Sequence, residues 1–125
     1  MRKYISFGFV VILLGVLLCA CDGVTSTPGA QSRFEDGFDA LRKQDWRAAQ
    51  TAFSAGLQME PARSEALAGR GWANLELNEY DAAIADFDAA LALNPQDASA
   101  WAGRGRARLK RGDDAAAIQD LSRAI

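Results

Sequence analysis

"GRGWANLELNEYDAAIADFDAALALNP", residues 69–95, decides how this chain folds. It holds two helical runs separated by a short polar turn, "LNEYD" at 77–81. In the second run Ala83, Ile84, Phe87, Ala90 and Leu91 recur at the spacing of one helix face. Gly71, Ala83 and Ala90 are small enough for two helix backbones to approach closely, and Phe87 fills the space between them. Pro95 ends the second run, because proline donates no helix hydrogen bond and biases its predecessor away from helix. The stretch therefore predicts an antiparallel helical hairpin. One such hairpin is too small to bury its own apolar face, so it needs neighbours.

The neighbours are copies of it. Gly37, Gly71 and Gly105 align at a period of 34 residues, as do Leu41, Leu75 and Leu109, then Ala49, Ala83 and Ala117. Phe53, Phe87 and Leu121 follow, then Gly56, Ala90 and Ala124, and Pro61 pairs with Pro95. Residues 64–91 and 98–125 agree at 12 of 28 positions, against about three expected by chance from average composition. A turn, "KRGDD" at 110–114, stands where the quoted stretch has its own.

This 34-residue pattern resembles the tetratricopeptide repeat (TPR). The resemblance spans residues 30–125 and implies an all-α fold, an α-solenoid of three helix-turn-helix repeats at about 30–63, 64–97 and 98–125. It also implies a curved array whose first helices line a concave face where extended or helical peptides bind. Along those helices the outward stripe comprises Phe34, Phe38, Leu41 and Arg42, then Ala68, Trp72, Leu75 and Glu76, then Ala102, Arg106, Leu109 and Lys110. The expected partner groove is thus Phe34, Phe38, Arg42, Trp72, Glu76, Arg106 and Lys110, aromatic at one end and basic at the other. The leucines are expected to be half-buried between successive first helices. Trp46, Tyr80 and Trp101 read as packing residues. Some family members grip a C-terminal carboxylate with an asparagine, but Glu35, Gly69 and Gly103 stand at that position here.

The copies also depart from the pattern together. Arg70 and Arg104 precede the repeat glycine, and Asp86 and Asp120 follow each by 16 residues, on the facing helix. The first copy has Asp36 and Ala52 at those places and loses both members at once. An Arg–Asp pair across hairpins two and three is expected. Exposed, such a pair contributes only about 0–1 kcal/mol.

The N-terminal region has a different character. Residues 1–20, "MRKYISFGFVVILLGVLLCA", run from a basic start through an apolar middle, the layout of a secretory signal. "Leu18-Cys19-Ala20-Cys21" resembles the lipobox of bacterial lipoproteins, which implies cleavage before Cys21 and acylation of that cysteine. Leu18 is too large for the small-residue slot if Cys19 were the modified one. Gly, Ser, Thr and Pro dominate "DGVTSTPGAQS", so residues 21–32 read as the lipidated cysteine and a flexible tether, with the repeats over 33–125.

Composition narrows the function. Residues 21–125 carry 12 basic and 16 acidic side chains, and the chain has no histidine. That disfavours nucleic acid, despite "GRGRARLKRG" at 103–112, whose basic groups spread over several helix faces. It also removes imidazole chemistry; no nucleophile–base pair, phosphate loop or metal cluster stands out, so neither enzyme nor cofactor is expected. The reading is an adaptor of the bacterial cell envelope, facing the periplasm, anchored by lipid and holding a protein or peptide. Similar lipoproteins assist pilus or secretion assembly, or scaffold cell-wall enzymes. The alternative is a self-associating structural lipoprotein. Ile118, Leu121 and Ile125 fall at i, i+3 and i+7 on the last helix and would form its contact stripe.

Overall fold

The structure, a computed structural model, describes residues 27–125. The expected signal at 1–20 and the expected lipidation at Cys21 lie outside the described residues. Six helices follow in order: α1 Pro28–Arg42, α2 Trp46–Met59, α3 Ser64–Glu76, α4 Tyr80–Leu93, α5 Ala98–Arg111 and α6 Asp114–Ala124. They form three antiparallel hairpins, α1–α2, α3–α4 and α5–α6, each packed on the next. First helices also touch one another, α1 with α3 and α3 with α5, so they lie side by side along one face. The fold is all-α, as the repeat implies. Among the described residues no helix is long and apolar enough to cross a membrane.

Local chemistry sets the boundaries. Asp45 and Asp97 cap α2 and α5, each accepting a hydrogen bond at 3.1 Å from the backbone N–H three residues on. Each hairpin turn carries one left-handed residue at the same repeat position: Gln44, Asn78 and Gly112, with φ of 59°, 62° and 97°. Glycine and asparagine tolerate that region, whereas Gln44 bears its steric cost.

One helix starts earlier than expected. Residues 28–32, which composition assigns to the flexible tether, are the first residues of α1. Pro28 sits at the helix start, where its fixed φ suits a helix and its missing N–H costs nothing. Tertiary contacts do the rest. Ala30 is fully buried, Gly29 lies against Met59, and the Thr27 N–H donates to Glu60 Oε1 at 2.6 Å.

Aromatic rings set against glycines form the core. Phe53 and Phe87 are completely buried. A Cβ on Gly37 of the same hairpin would lie 2.8 Å from Phe53, and one on Gly69 of the next hairpin 2.6 Å. Phe87 repeats the arrangement between Gly71 and Gly103. One side chain on each second helix thus joins a hairpin internally and to its successor. In the third hairpin Leu121 takes this place against Gly105, where an added Cβ would approach it to 2.9 Å.

Candidate partner-binding groove

The face formed by α1, α3 and α5 presents Phe38, Trp72 and Arg106 at one repeat position. Phe38 stands edge-on over Phe53, with centroids 5.0 Å apart at 79°, and Trp72 stands the same way over Phe87, at 5.6 Å and 79°. Each outer ring is therefore held upright by the ring that locks its own hairpin. Phe38 remains 38% exposed. Trp72 is half-buried, and its Nε1–H donates to Ser99 Oγ on α5 at 3.2 Å.

At the α3–α5 junction the basic end of the groove meets the aromatic end. The Arg106 guanidinium lies 5.4 Å from the Trp72 ring centroid, within cation–π range. It also sits 3.8 Å from Glu76, a loose, water-exposed ion pair. Glu76, Arg106 and Lys110, with Leu75, Asn78 and Tyr80, enclose a recess of about 160 Å³. Arg42 is exposed and pairs with Asp39 on its own helix.

Phe34 does not belong to this surface. It is 2% exposed and packs on Gly56 of α2, where an added Cβ would run into its ring, and Arg63 covers it at 5.4 Å. The second and third copies have alanine at both aligned positions, 68 with 90 and 102 with 124. The first copy concentrates the volume in one partner and removes it from the other. Comparing copies at both positions would have shown this; spacing along one helix does not. The leucines differ too: Leu75 is buried at 5% exposure, Leu41 is half-buried, and Leu109 is 51% exposed. Leu75 lies between two packed first helices, whereas Leu109 lies on α5, the last first helix described.

The proposed self-association stripe is also divided. Ile118 and Ile125 are exposed, but Leu121 is half-buried because it turns inward onto Gly105. Its alignment with Phe53 and Phe87 already carried that signal.

A different device ties the first helix to the second in hairpins two and three. Arg70 grips Asp86 with two donors, Nε to Oδ2 at 2.9 Å and Nη2 to Oδ1 at 2.7 Å. Arg104 does the same to Asp120, at 3.0 and 2.8 Å. Each arginine also reaches back one hairpin, Arg70 to Ser54 at 3.3 Å and Arg104 to Asp88 at 2.6 Å. The hydrogen bonds that Arg70 donates to Asp86 raise its pKa against the opposing effect of burial, and those that Arg104 donates to Asp120 do the same. Sequence spacing revealed the pairs but missed their third partners. Asn74 donates to Asp86 at 2.9 Å, and Arg108, at the aligned position, donates to Asp120 at 2.7 Å. Trp101 is a packing residue: its Nε1–H donates to the Pro95 carbonyl at 2.8 Å, with Arg104 and Arg123 at 4.6 and 4.9 Å from its ring. Between α2 and α4 lies an open cleft of about 630 Å³ lined by Gln50, Arg70, Asn74 and Glu79. Its polar groups satisfy one another: Gln50 Nε2 donates to Asn74 at 2.6 Å and to Glu79 at 2.7 Å.

Comparison with known proteins supports the same architecture. A search of curated proteins found no match. Among solved structures, the second TPR domain of human RPAP3 in complex with HSP70 peptide SGPTIEEVD is 26% identical. It superposes with a TM-score of 0.72 over 77% of this chain and 80% of that one. The TPR2B domain of yeast Sti1 in its pHsp70 complex gives 0.74 at 23% identity, covering 78% of each chain. The Arabidopsis OM64 TPR domain gives 0.74 at 23% identity, covering 76% of this chain and 78% of that one. Residues 37–98 and 75–125 match the tetratricopeptide repeat family itself, so the chain belongs to that family.

Proposed function

We propose that this chain is an adaptor that holds a peptide segment of a protein partner against α1, α3 and α5, and that lipid on Cys21 anchors it to a membrane of a bacterial envelope, facing the periplasm. The observation that carries the reading is the row Phe38, Trp72 and Arg106. These three side chains stand at one repeat position on adjoining helices, with Lys110 one turn beyond Arg106. Aromatic residues and arginine are the side chains that most often anchor an interface. The human RPAP3 relative is a peptide complex, which supports the class of ligand. Its peptide ends in EEVD, but the position used for gripping a terminal carboxylate holds Glu35, Gly69 and Gly103 here. The fitting ligand is instead an internal segment with an apolar side chain for Phe38 and an acidic one for Arg106 and Lys110.

The test is selection from a random peptide display library against the protein, followed by titration of the enriched peptides. Peptides that share an apolar-acidic pattern and lose binding in Phe38→Ser and in Arg106→Glu would support the groove. Binding that survives both substitutions would overturn it. Within such a reading the protein serves assembly work in the envelope, bringing a secretion, pilus or cell-wall component to the membrane.

A second reading rests on Ile118, which is 65% exposed on the outer face of α6. Self-association there would appear as a concentration-dependent rise in sedimentation coefficient that Ile118→Ser abolishes.

A further inference from the structure

Because all three hairpins are antiparallel, the starts of α1, α3 and α5 and the ends of α2 and α4 share one end of the array. The chain enters the fold at that same end. Its entry point is bound in place: Glu60 Oε1, just past α2, accepts from Thr27 N–H at 2.6 Å and from Thr27 Oγ1 at 3.2 Å. Glu60 thereby caps α1 from outside the helix, since no side-chain cap is supplied locally. Arg63 holds this corner from the other side, 3.5 Å from Glu60 and 3.4 Å from Gln31.

The same end carries an apolar fringe. Met59 and Leu93 occupy one repeat position at the last turns of α2 and α4, 51% and 49% exposed. Pro61 and Pro95 follow each, and both are exposed. The turns at the opposite end carry exposed Lys43, Asp45, Arg111 and Asp114, with Trp46, Leu77 and Tyr80 half-buried and Leu109 exposed in the last turn of α5.

Only six Cα-to-Cα steps separate Cys21 from Thr27, a span of at most about 22 Å. We infer that the Met59–Leu93 end of the array faces the lipid bilayer, with those two side chains against the headgroup region, and that the Thr27–Glu60 bond fixes this orientation. The inference rests on the lipid-anchor reading of Cys21. A helix of 14 residues is about 21 Å long, so the Lys43 end is held that much farther from the surface. The groove then opens sideways along the membrane, and the segment that enters it comes from a partner within a few nanometres of the bilayer.

The experiment uses the full chain, purified from bacterial membranes and reconstituted in phosphatidylethanolamine–phosphatidylglycerol vesicles containing a nitroxide-headgroup lipid. Single cysteines at Met59→Cys, Leu93→Cys, Lys43→Cys and Asp114→Cys carry a fluorophore. The mass of the N-terminal peptide independently reports the lipid on Cys21. With ends separated by about 21 Å, quenching at 59 and 93 should exceed that at 43 and 114 about threefold. Glu60→Ala, which removes the oxygen that accepts from Thr27, should bring the ratio down towards one. Equal quenching at both ends, with the lipid present, would overturn the orientation and leave the anchor intact. A Cys21 free of lipid would overturn both. An unchanged ratio in Glu60→Ala would remove the Thr27–Glu60 bond as the orienting element.

Discussion

Arg104 closes on Asp120 as a planar fork on a carboxylate, with Nε and Nη2 each donating to a separate oxygen at 3.0 and 2.8 Å. Asp120 is 2% exposed and also accepts from Arg108 at 2.7 Å, so it is a buried charge satisfied by two cations. Arginine supplies this geometry where lysine does not, because its donors are fixed in one plane.

Removing the carboxylate should therefore cost more than removing either arginine. Asp120→Ala leaves two guanidiniums facing each other, though they keep partial access to water, and should destabilise by about 2 kcal/mol. Arg104→Ala should cost less, because Arg108 still meets Asp120. A double-mutant cycle on Arg70 and Asp86, read by urea denaturation, should give a coupling of about 1–2 kcal/mol, larger than for an exposed pair. The folded-state pKa values of both arginines are raised, so their contribution is complete below the unfolded value and is lost only on strongly alkaline titration. The coupling should be the same at pH 7 and pH 10.

Two glycines in one helix should respond differently to the same substitution. Alanine at either position gains about 1 kcal/mol of helix propensity. At Gly69 the new methyl would meet Phe53 at 2.6 Å, and at Gly71 it would meet Phe87 at 3.0 Å. Overpacking of the first kind costs about 1–3 kcal/mol, so Gly69→Ala should lower the melting temperature while Gly71→Ala leaves it nearly unchanged. Adding Phe53→Leu should recover part of the Gly69→Ala loss.

Phe34 and Gly56 form a large–small pair, and the prediction there is non-additivity. Phe34→Ala opens a cavity and should cost about 3–5 kcal/mol. Gly56→Ala forces a methyl into the Phe34 ring and should also destabilise. Together they recreate the alanine pair of the aligned positions 68 and 90. The double variant should therefore be more stable than the sum of the single losses, measured by the same denaturation.

In the groove, Glu76 competes with any acidic ligand for Arg106. Their separation of 3.8 Å and exposed setting make the pair worth little, about 0.5 kcal/mol. Glu76→Gln should tighten binding of a selected acidic peptide about twofold, the equivalent of that energy. The gain should vanish when Arg106 is also replaced, as calorimetric titration would show.

The hairpin frame was legible in the sequence because the packing is periodic: Phe53 and Phe87 each meet glycines of their own hairpin and the next, and the period records that. The Arg–Asp pairs were legible because both members appear and disappear together at a spacing of 16. What escaped depends on contacts between helices. Phe34 lies on the outward stripe of α1 when that helix is drawn alone, yet a glycine across the hairpin draws it inside. Residues 28–32 have linker composition, yet Glu60 and Met59 hold them as helix. In the groove, Phe38, Trp72, Glu76, Arg106 and Lys110 were all visible as a stripe, but not the stacking of Arg106 on Trp72 or the Trp72–Ser99 bond.

The joints between hairpins have a genetic consequence. Phe53 meets Gly69 while Ser54 faces Arg70, and Phe87 meets Gly103 while Asp88 faces Arg104. An in-frame loss of residues 64–97 would bring Phe53 to Gly103 and Ser54 to Arg104, which are the same chemical partners. Slippage by one whole period should thus keep the joint in register, whereas slippage by any other length should put Phe53 and Ser54 out of register with Gly103 and Arg104. The gene can lengthen or shorten the array in steps of 34 codons without inventing a new interface.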